Sequence, residues 1–297
     1  MTDFRPILHP SSDGLHTLHG LICIPQEPRG VVHIVHGVAE HIDRYRSMMQ
    51  ELAQAGYITV GFDLPGHGQT AQNDDELGFF SAEQMVHATV AAAESLHRQY
   101  DGLPYYLFGH SMGSFIARCA AETFTPDKLI LIGTSGPNPV AVPGLAVVGL
   151  IRLLRGDRHR SGTAHQLMFG GYNARFPQDD PHHWLSSDPE VRTAYAQDPR
   201  CGFVLTAAGS YGLIRLCQMA NRDAWFRSIR QRCPVLLLSG ALDPVGDYGK
   251  GVLTVYHRLR KYGTDATLHL YKNGRHEIHN DHDRAQVLQD LLTFLAT

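Results

Sequence analysis

Short apolar runs rich in β-branched and aromatic residues recur along the chain, at 18–24, 31–35, 58–62, 105–108, 129–132, 235–238 and 267–271. Several are apolar at consecutive positions, as in Val235-Leu236-Leu237-Leu238. A strand that hides one face alternates apolar and polar residues; a strand covered on both faces need not. Stretches with helical patterning fall between the runs, near 45–55, 81–100, 114–123, 248–262 and 284–295. Ser81 followed three places on by Gln84 makes a capping box at the start of the second. Strand and helix in alternation constrain the chain to an α/β fold, a mostly parallel sheet flanked by helices on both faces. With 297 residues, 43% of them apolar, there is enough apolar mass for a sizeable core of this kind.

The alternation stops after Ile132 and resumes at Pro234. Between them lie an apolar stretch (140–154), a basic one with Arg152, Arg155, Arg158 and Arg160, and a segment rich in Asp, Pro and His at 178–189. No strand pattern shows from about 136 to 229, and a structureless loop of that length is rare inside a compact domain. The expectation is an α/β core of residues 1–136 and 230–297, with a mostly helical insertion at 137–229 that caps one edge of the sheet.

The pentapeptide Gly109-His110-Ser111-Met112-Gly113 directly follows the run 105–108 and precedes the helical stretch Phe115-Ile116-Ala117-Arg118. In the pattern G-x-S-x-G a serine is held on a sharp strand-to-helix turn, with its hydroxyl pushed out at the top of a sheet. The helix N-terminus beneath favours the negative charge that develops in acyl transfer. Such a serine needs a base, and the base an orienting acid. On this kind of sheet they follow in the order serine, acid, histidine. Asp243 is the best acid, because it follows the run 235–238 and the turn Ser239-Gly240-Ala241-Leu242. Asp247 competes, although Gly246 and Tyr248 make it read as the start of the next helix. For the base, His276 follows the last run and the loop Lys272-Asn273-Gly274-Arg275; His279 and His282 compete but lie further from the strand end. Two backbone donors are expected for the oxyanion: the N–H of Met112, after the nucleophile, and that of Val38, in the loop His36-Gly37-Val38-Ala39-Glu40-His41. Ser114 is expected to contact the first turn of its own helix.

The formal net charge of −3 gives no basic field for nucleic acid, and no Lys/Arg run forms a polybasic membrane patch. The five cysteines are widely spread and never in C-x-x-C spacing, which fits a reducing compartment, with the cytoplasm as the expectation. Cys23 and Cys119 lie in apolar runs and read as small core residues. The N-terminal residues lack a signal pattern, and the stretch 140–154, broken by Pro143 and Arg152, is shorter than the ~20 residues of a bilayer span. Transient contact with a lipid surface stays open, and nothing in the sequence fixes an oligomeric state.

Gly66-His67-Gly68-Gln69-Thr70-Ala71 fits a dinucleotide fingerprint, but the acidic Gln72-Asn73-Asp74-Asp75-Glu76 follows in place of an apolar-periodic helix. His276-Glu277-Ile278-His279 has its histidines three apart, where a zincin motif needs four. No Gly-Lys is followed by Ser or Thr, so there is no P-loop. No cofactor and no metal is implied. An acyl ester and a small amide are both chemically open to such a serine. An aminopeptidase would need an anionic subsite for the free amine, from Asp179, Asp180, Asp188 or Glu190. The apolar stretch 140–154, with Leu145 and Val148, favours an acyl pocket instead.

With these pieces in place the chain resembles the α/β-hydrolases, and most of all their monoacylglycerol lipase and lysophospholipase branch, also described as serine aminopeptidase-like. The matching blocks are residues 36–41 with Arg44-Tyr45, Asp63-Leu64-Pro65-Gly66-His67-Gly68, the pentapeptide, Gly240-Ala241-Leu242-Asp243-Pro244-Val245 and Arg275-His276-Glu277. The resemblance implies a serine esterase with Ser111, Asp243 and His276 as triad, Val38 and Met112 as oxyanion donors, and residues 137–229 as cap over the acyl pocket. It implies support of the oxyanion loop by Glu40, His41, Arg44 and Tyr45, with substrate contact as the alternative, and a loop-shaping part for Asp63 and His67. The sequence departs from the branch at Ser114, where a further glycine is common, and at His279-Asn280.

Overall fold

Each central strand is apolar on both sides, and two separate layers of helices cover those sides. In β5 (Tyr105–His110), Tyr105 and Leu107 pack into one hydrophobic cluster while Tyr106 and Phe108 pack into a second on the opposite face. β6 (Lys128–Ile132) and β7 (Val235–Gly240) divide in the same way, Leu129, Leu131, Val235 and Leu237 against Ile130, Ile132, Leu236 and Leu238. This is the period of two in a pleated strand. Full burial of each such side chain stabilises the fold by ~1.5–3 kcal/mol.

The computed structural model describes residues 3–11, 14, 16–139, 141–229 and 232–297. Eight strands form one sheet in the order β1-β2-β4-β3-β5-β6-β7-β8. β1 (Phe4–Pro10) and β2 (Thr17–Cys23) run antiparallel at one edge. From β4 (Ile58–Phe62) through β3 (Val31–Val35) to β8 (Ala266–Tyr271) all pairings are parallel. One face carries α1 (Arg46–Gln54) and α10 (Arg284–Ala296); the other carries α2 (Ala82–Gln99), α3 (Met112–Ala120) and α9 (Lys250–Lys261). Ser81 caps α2 by accepting the Gln84 amide, and Cys23 and Cys119 are buried in the core as expected.

The α/β class holds, with one strand unanticipated. β1 carries Pro6 and Pro10 and lies at the sheet edge, where missing N–H groups are tolerated.

Between β6 and β7 come only helices among the named elements: α4 (Ala141–Arg155), α5 (Gly162–Phe169), α6 (Pro189–Gln197), α7 (Ala207–Ala220) and α8 (Asp223–Ser228). α7 and α8 pack firmly on the core, since Leu216, Ala220, Trp225 and Phe226 share a cluster with α3 and the strands. α4 is different: Val142, Leu150, Leu153 and Leu154 are exposed. Val140, the first residue of the expected apolar stretch, lies outside the described residues. No described helix is long and apolar enough to cross a membrane.

Candidate active site

The turn between β5 and α3 is too tight for side chains at its two glycines. A Cβ on Gly109 would strike the Gly113 backbone and Ser114 Cα, and one on Gly113 would strike the Val35 and His36 carbonyls. Between them Ser111 has φ 54° and ψ −122°, a conformation that L-residues rarely adopt. Such strain costs ~1–3 kcal/mol and persists only where the surroundings over-determine it. Here the Ser111 N–H donates to Ile132 O (2.9 Å), and the Ser114 hydroxyl donates to Ser111 O (2.6 Å), the first-turn contact expected of it.

Ser111, Asp243 and His276 are brought together, all buried. His276 Nε2 lies 2.8 Å from Ser111 Oγ, and His276 Nδ1 lies 2.9 Å from Asp243 Oδ2. The other Asp243 oxygen accepts the Val245 amide at 2.8 Å, which fixes the carboxylate plane. Gly240 lets the loop after β7 pass the Gly274 and Arg275 carbonyls, where a Cβ would not fit. Burial opposes a charge on His276, but the Asp243 carboxylate beside it outweighs that penalty and raises the imidazole above its ordinary 6.5.

The competing residues fall elsewhere. Asp247 lines the neighbouring cavity. His279 stacks on Tyr45 (ring centroids 5.0 Å apart) and meets His110 edge-on; neither of its ring nitrogens has a hydrogen-bond partner among the described residues. Residues 66–71 lie in turns, and the next helix opens only at Ala82.

The loop bearing Val38 is held from below. Glu40 Oε1 accepts the Gly37 amide (2.6 Å) and the Tyr45 hydroxyl (2.8 Å), and Oε2 accepts from Arg44 (2.6 Å). Arg44 also reaches both oxygens of Glu277, the neighbour of His276. Burial works against the Glu40 charge, but His110 and Arg44 outweigh it and hold its carboxyl well below the usual range. The Asp63 side chain accepts the Ile42 and Gln69 amides at 2.9 and 2.7 Å, so it shapes its loop as expected. His67 Nδ1 lies 3.0 Å from Pro65 O, a local contact of the same loop.

His36 has a part that the sequence motif alone does not show. Its Nε2 accepts the Leu64 amide (2.9 Å), so Nδ1 carries the proton and donates to Gly37 O (2.7 Å). In a trans peptide C=O and N–H point in opposite directions, so this bond sets the direction of the Val38 N–H. The signal is the His-Gly pair after a strand; the missing piece is that the loop after β4 delivers the Leu64 amide to the ring.

Val38, Ser111 and Met112 open onto one cavity of about 650 Å³. Its walls come from α5 (Leu167, Met168, Phe169), α7 (Leu213, Ile214, Cys217) and, in α4, Ala141 and Gly144. Leu145 and Val148 do not line it, and Val148 is buried against other helices, which corrects the expectation for that stretch. Nor do the acids proposed for an amine subsite: Asp179 pairs with His183, Asp180 with Arg192, and Asp188 caps α6. Asp247 is the one acid among the described lining residues, and Lys250 lines the same cavity.

Comparison with known proteins agrees with this architecture. Residues 26–283 match the Hydrolase_4 family model, described as serine aminopeptidase, S33. A monoacylglycerol lipase of Mycolicibacterium smegmatis is 26% identical over 273 residues, 91% of this chain and 89% of the relative. A thermostable carboxyl esterase from Bacillus coagulans, solved with glycerol, superposes with TM-score 0.92 at 31% identity, covering 100% of this chain and 99% of that one. A lipase in an open form gives TM-score 0.89 at 30% identity, with 99% and 98% covered. The elbow, the parallel sheet and these matches across nearly the whole chain place it among the α/β-hydrolases: it belongs to the serine aminopeptidase S33 family, in the monoacylglycerol lipase-like branch.

Proposed function

We propose that this protein hydrolyses carboxylic esters of single acyl chains, namely monoacylglycerols, lysophospholipids or simpler acyl esters, through an acyl-enzyme on Ser111. The observation that carries this reading is the hydrogen-bonded series Ser111–His276–Asp243 opening on a largely apolar cavity. His276 Nε2 takes the hydroxyl proton as Oγ bonds to the ester carbon. The carbonyl oxygen, now negative, accepts from the Val38 and Met112 amides; neither has an acceptor among the described residues. The C–O bond then breaks and His276 returns the proton to the leaving alcohol. Water repeats both steps against the acyl-enzyme, releasing the acid and restoring Ser111. Asp243 holds the imidazole in the tautomer whose Nε2 is free to accept.

Residues 137–229 act in this reading as a helical cap over the acyl chain. The exposed apolar side chains of α4 suit transient contact with the lipid surface that holds such substrates. The five free cysteines fit a reducing cytoplasm. The small-amide alternative has less support, since Asp247 stands with Lys250 at the cavity wall. Kinetics on monoacylglycerols, lysophospholipids, p-nitrophenyl esters and aminoacyl amides test the reading. Ester kcat/KM is expected to exceed that for the amides by a factor on the order of 10² or more; the reverse order makes the protein an amidase.

Chain-length preference is expected to follow Gly144. A Cβ there would stand 3.5 Å from Ile214, an ordinary contact, so a larger side chain extends into the cavity. Gly144→Leu should reduce kcat/KM for dodecanoyl relative to butanoyl esters by roughly tenfold, given ~0.8 kcal/mol for each methylene that loses its place. An unchanged ratio would put the acyl chain against other walls.

A further inference from the structure

The strained point of the loop carrying Val38 is Ala39, whose φ of 53° lies in the left-handed region. Nothing about alanine favours that conformation. Its carbonyl accepts two hydrogen bonds, from the Tyr195 hydroxyl (3.2 Å) and from the Gly202 amide (2.9 Å). Two residues on, His41 Nε2 lies 2.7 Å from Asp198 Oδ2. Tyr195 lies in α6 and Asp198 is its C-terminal cap, so every one of these partners comes from a single stretch of the inserted helices. That stretch is anchored in turn: Tyr195 is buried and the Arg44 guanidinium lies 4.9 Å above its ring. Neither Tyr195 nor Asp198 lines the cavity.

We infer that Tyr195 and Asp198 are positioning residues for the oxyanion site: they hold Ala39 in its left-handed turn, so that the Val38 amide stays aimed at the reacting carbonyl oxygen. The inference rests on the reading of Val38 as an oxyanion donor. His36 sets the peptide plane on one side of Val38, and the tether fixes the chain on the other. Without the tether the loop relaxes toward ordinary torsions and the amide drifts, and a displacement of about 1 Å in a reacting geometry can cost up to a hundredfold in rate. Burial pushes the Tyr195 phenol far above its ordinary range, so it remains a donor at all assay pH values. The same bonds tie the competence of the oxyanion site to docking of α6: the site is complete only while that helix is seated.

Tyr195→Phe removes one donor and keeps the ring under Arg44; Asp198→Asn weakens the second tie without touching Tyr195. In Tyr195→Phe, kcat for p-nitrophenyl octanoate is expected to fall roughly tenfold with KM within about twofold. Affinity for octylboronic acid, which forms a tetrahedral adduct on the serine, should fall by the same factor, while inhibition by 1-octanol, which carries no anionic oxygen, stays unchanged. Asp198→Asn should show the same pattern at a smaller amplitude. Wild-type kcat and boronate affinity in both variants would overturn the inference. So would equal losses of boronate and octanol binding, which mark a merely structural role. Ser111→Ala, assayed alongside, separates the levels: wild-type turnover there defeats the reading of Ser111 as the attacking group, and with it the oxyanion assignment, whereas loss there with intact Tyr195→Phe defeats only the tether.

Discussion

Ser111→Ala is expected to lower kcat on esters by a factor on the order of 10⁶ and to abolish labelling by a fluorophosphonate probe. The Oγ of Ser111 meets His276 Nε2 at 2.8 Å, and the substitution removes that atom alone. Alanine keeps the same backbone class, so the elbow and its bond to Ile132 O remain. Circular dichroism and thermal melting should therefore match the wild type, which isolates the chemical loss from folding. Turnover within tenfold of the wild type would show that another group attacks the ester. His276→Ala should be comparably inactive, since the attacking hydroxyl would have no base.

Asp243→Asn is expected to cost on the order of 10⁴ in kcat, because an amide can present its N–H to Nδ1 and favour the wrong tautomer. The pH profile adds a second readout. The base must be neutral to accept a proton, so activity disappears as pH falls through the imidazole pKa. Asp243 raises that pKa above 6.5 against the opposing effect of burial, so the wild-type acid limb should lie above 6.5. With the carboxylate gone, burial is opposed only by the weaker pull of Glu277 and Glu40, and the limb of the residual activity should move to lower pH. An unmoved limb together with near wild-type kcat would exclude Asp243 as the partner of the base.

How much of this was legible beforehand depends on whether the signal was local. The central strands could be located because burial on both faces leaves unbroken apolar runs such as Leu236-Leu237-Leu238. Ser111, Asp243 and His276 could be nominated because each follows the carboxyl end of a strand, and the structure puts them within hydrogen-bonding reach. β1 has no such unbroken apolar run, and its two prolines fit a strand only at an edge. The cavity wall was misplaced within α4: hydrophobicity marks a helix as apolar without saying which side meets the pocket, and the small Ala141 and Gly144 line it while larger residues face away. The bonds of Tyr195 and Gly202 to Ala39 were invisible, since they join positions over 150 residues apart through one carbonyl.

The segment between β6 and β7 does more than line the cavity, because its backbone also reaches the loop of His276: Trp184 O accepts the His276 amide and Leu185 O accepts that of Glu277. Swapping this region between relatives to change selectivity therefore has an architectural condition. A transplanted roof that brings new lining from α4, α5 and α7 but loses the anchor points at 184–185 and 195–202 would arrive with its substrate preference intact and its host's chemistry unseated.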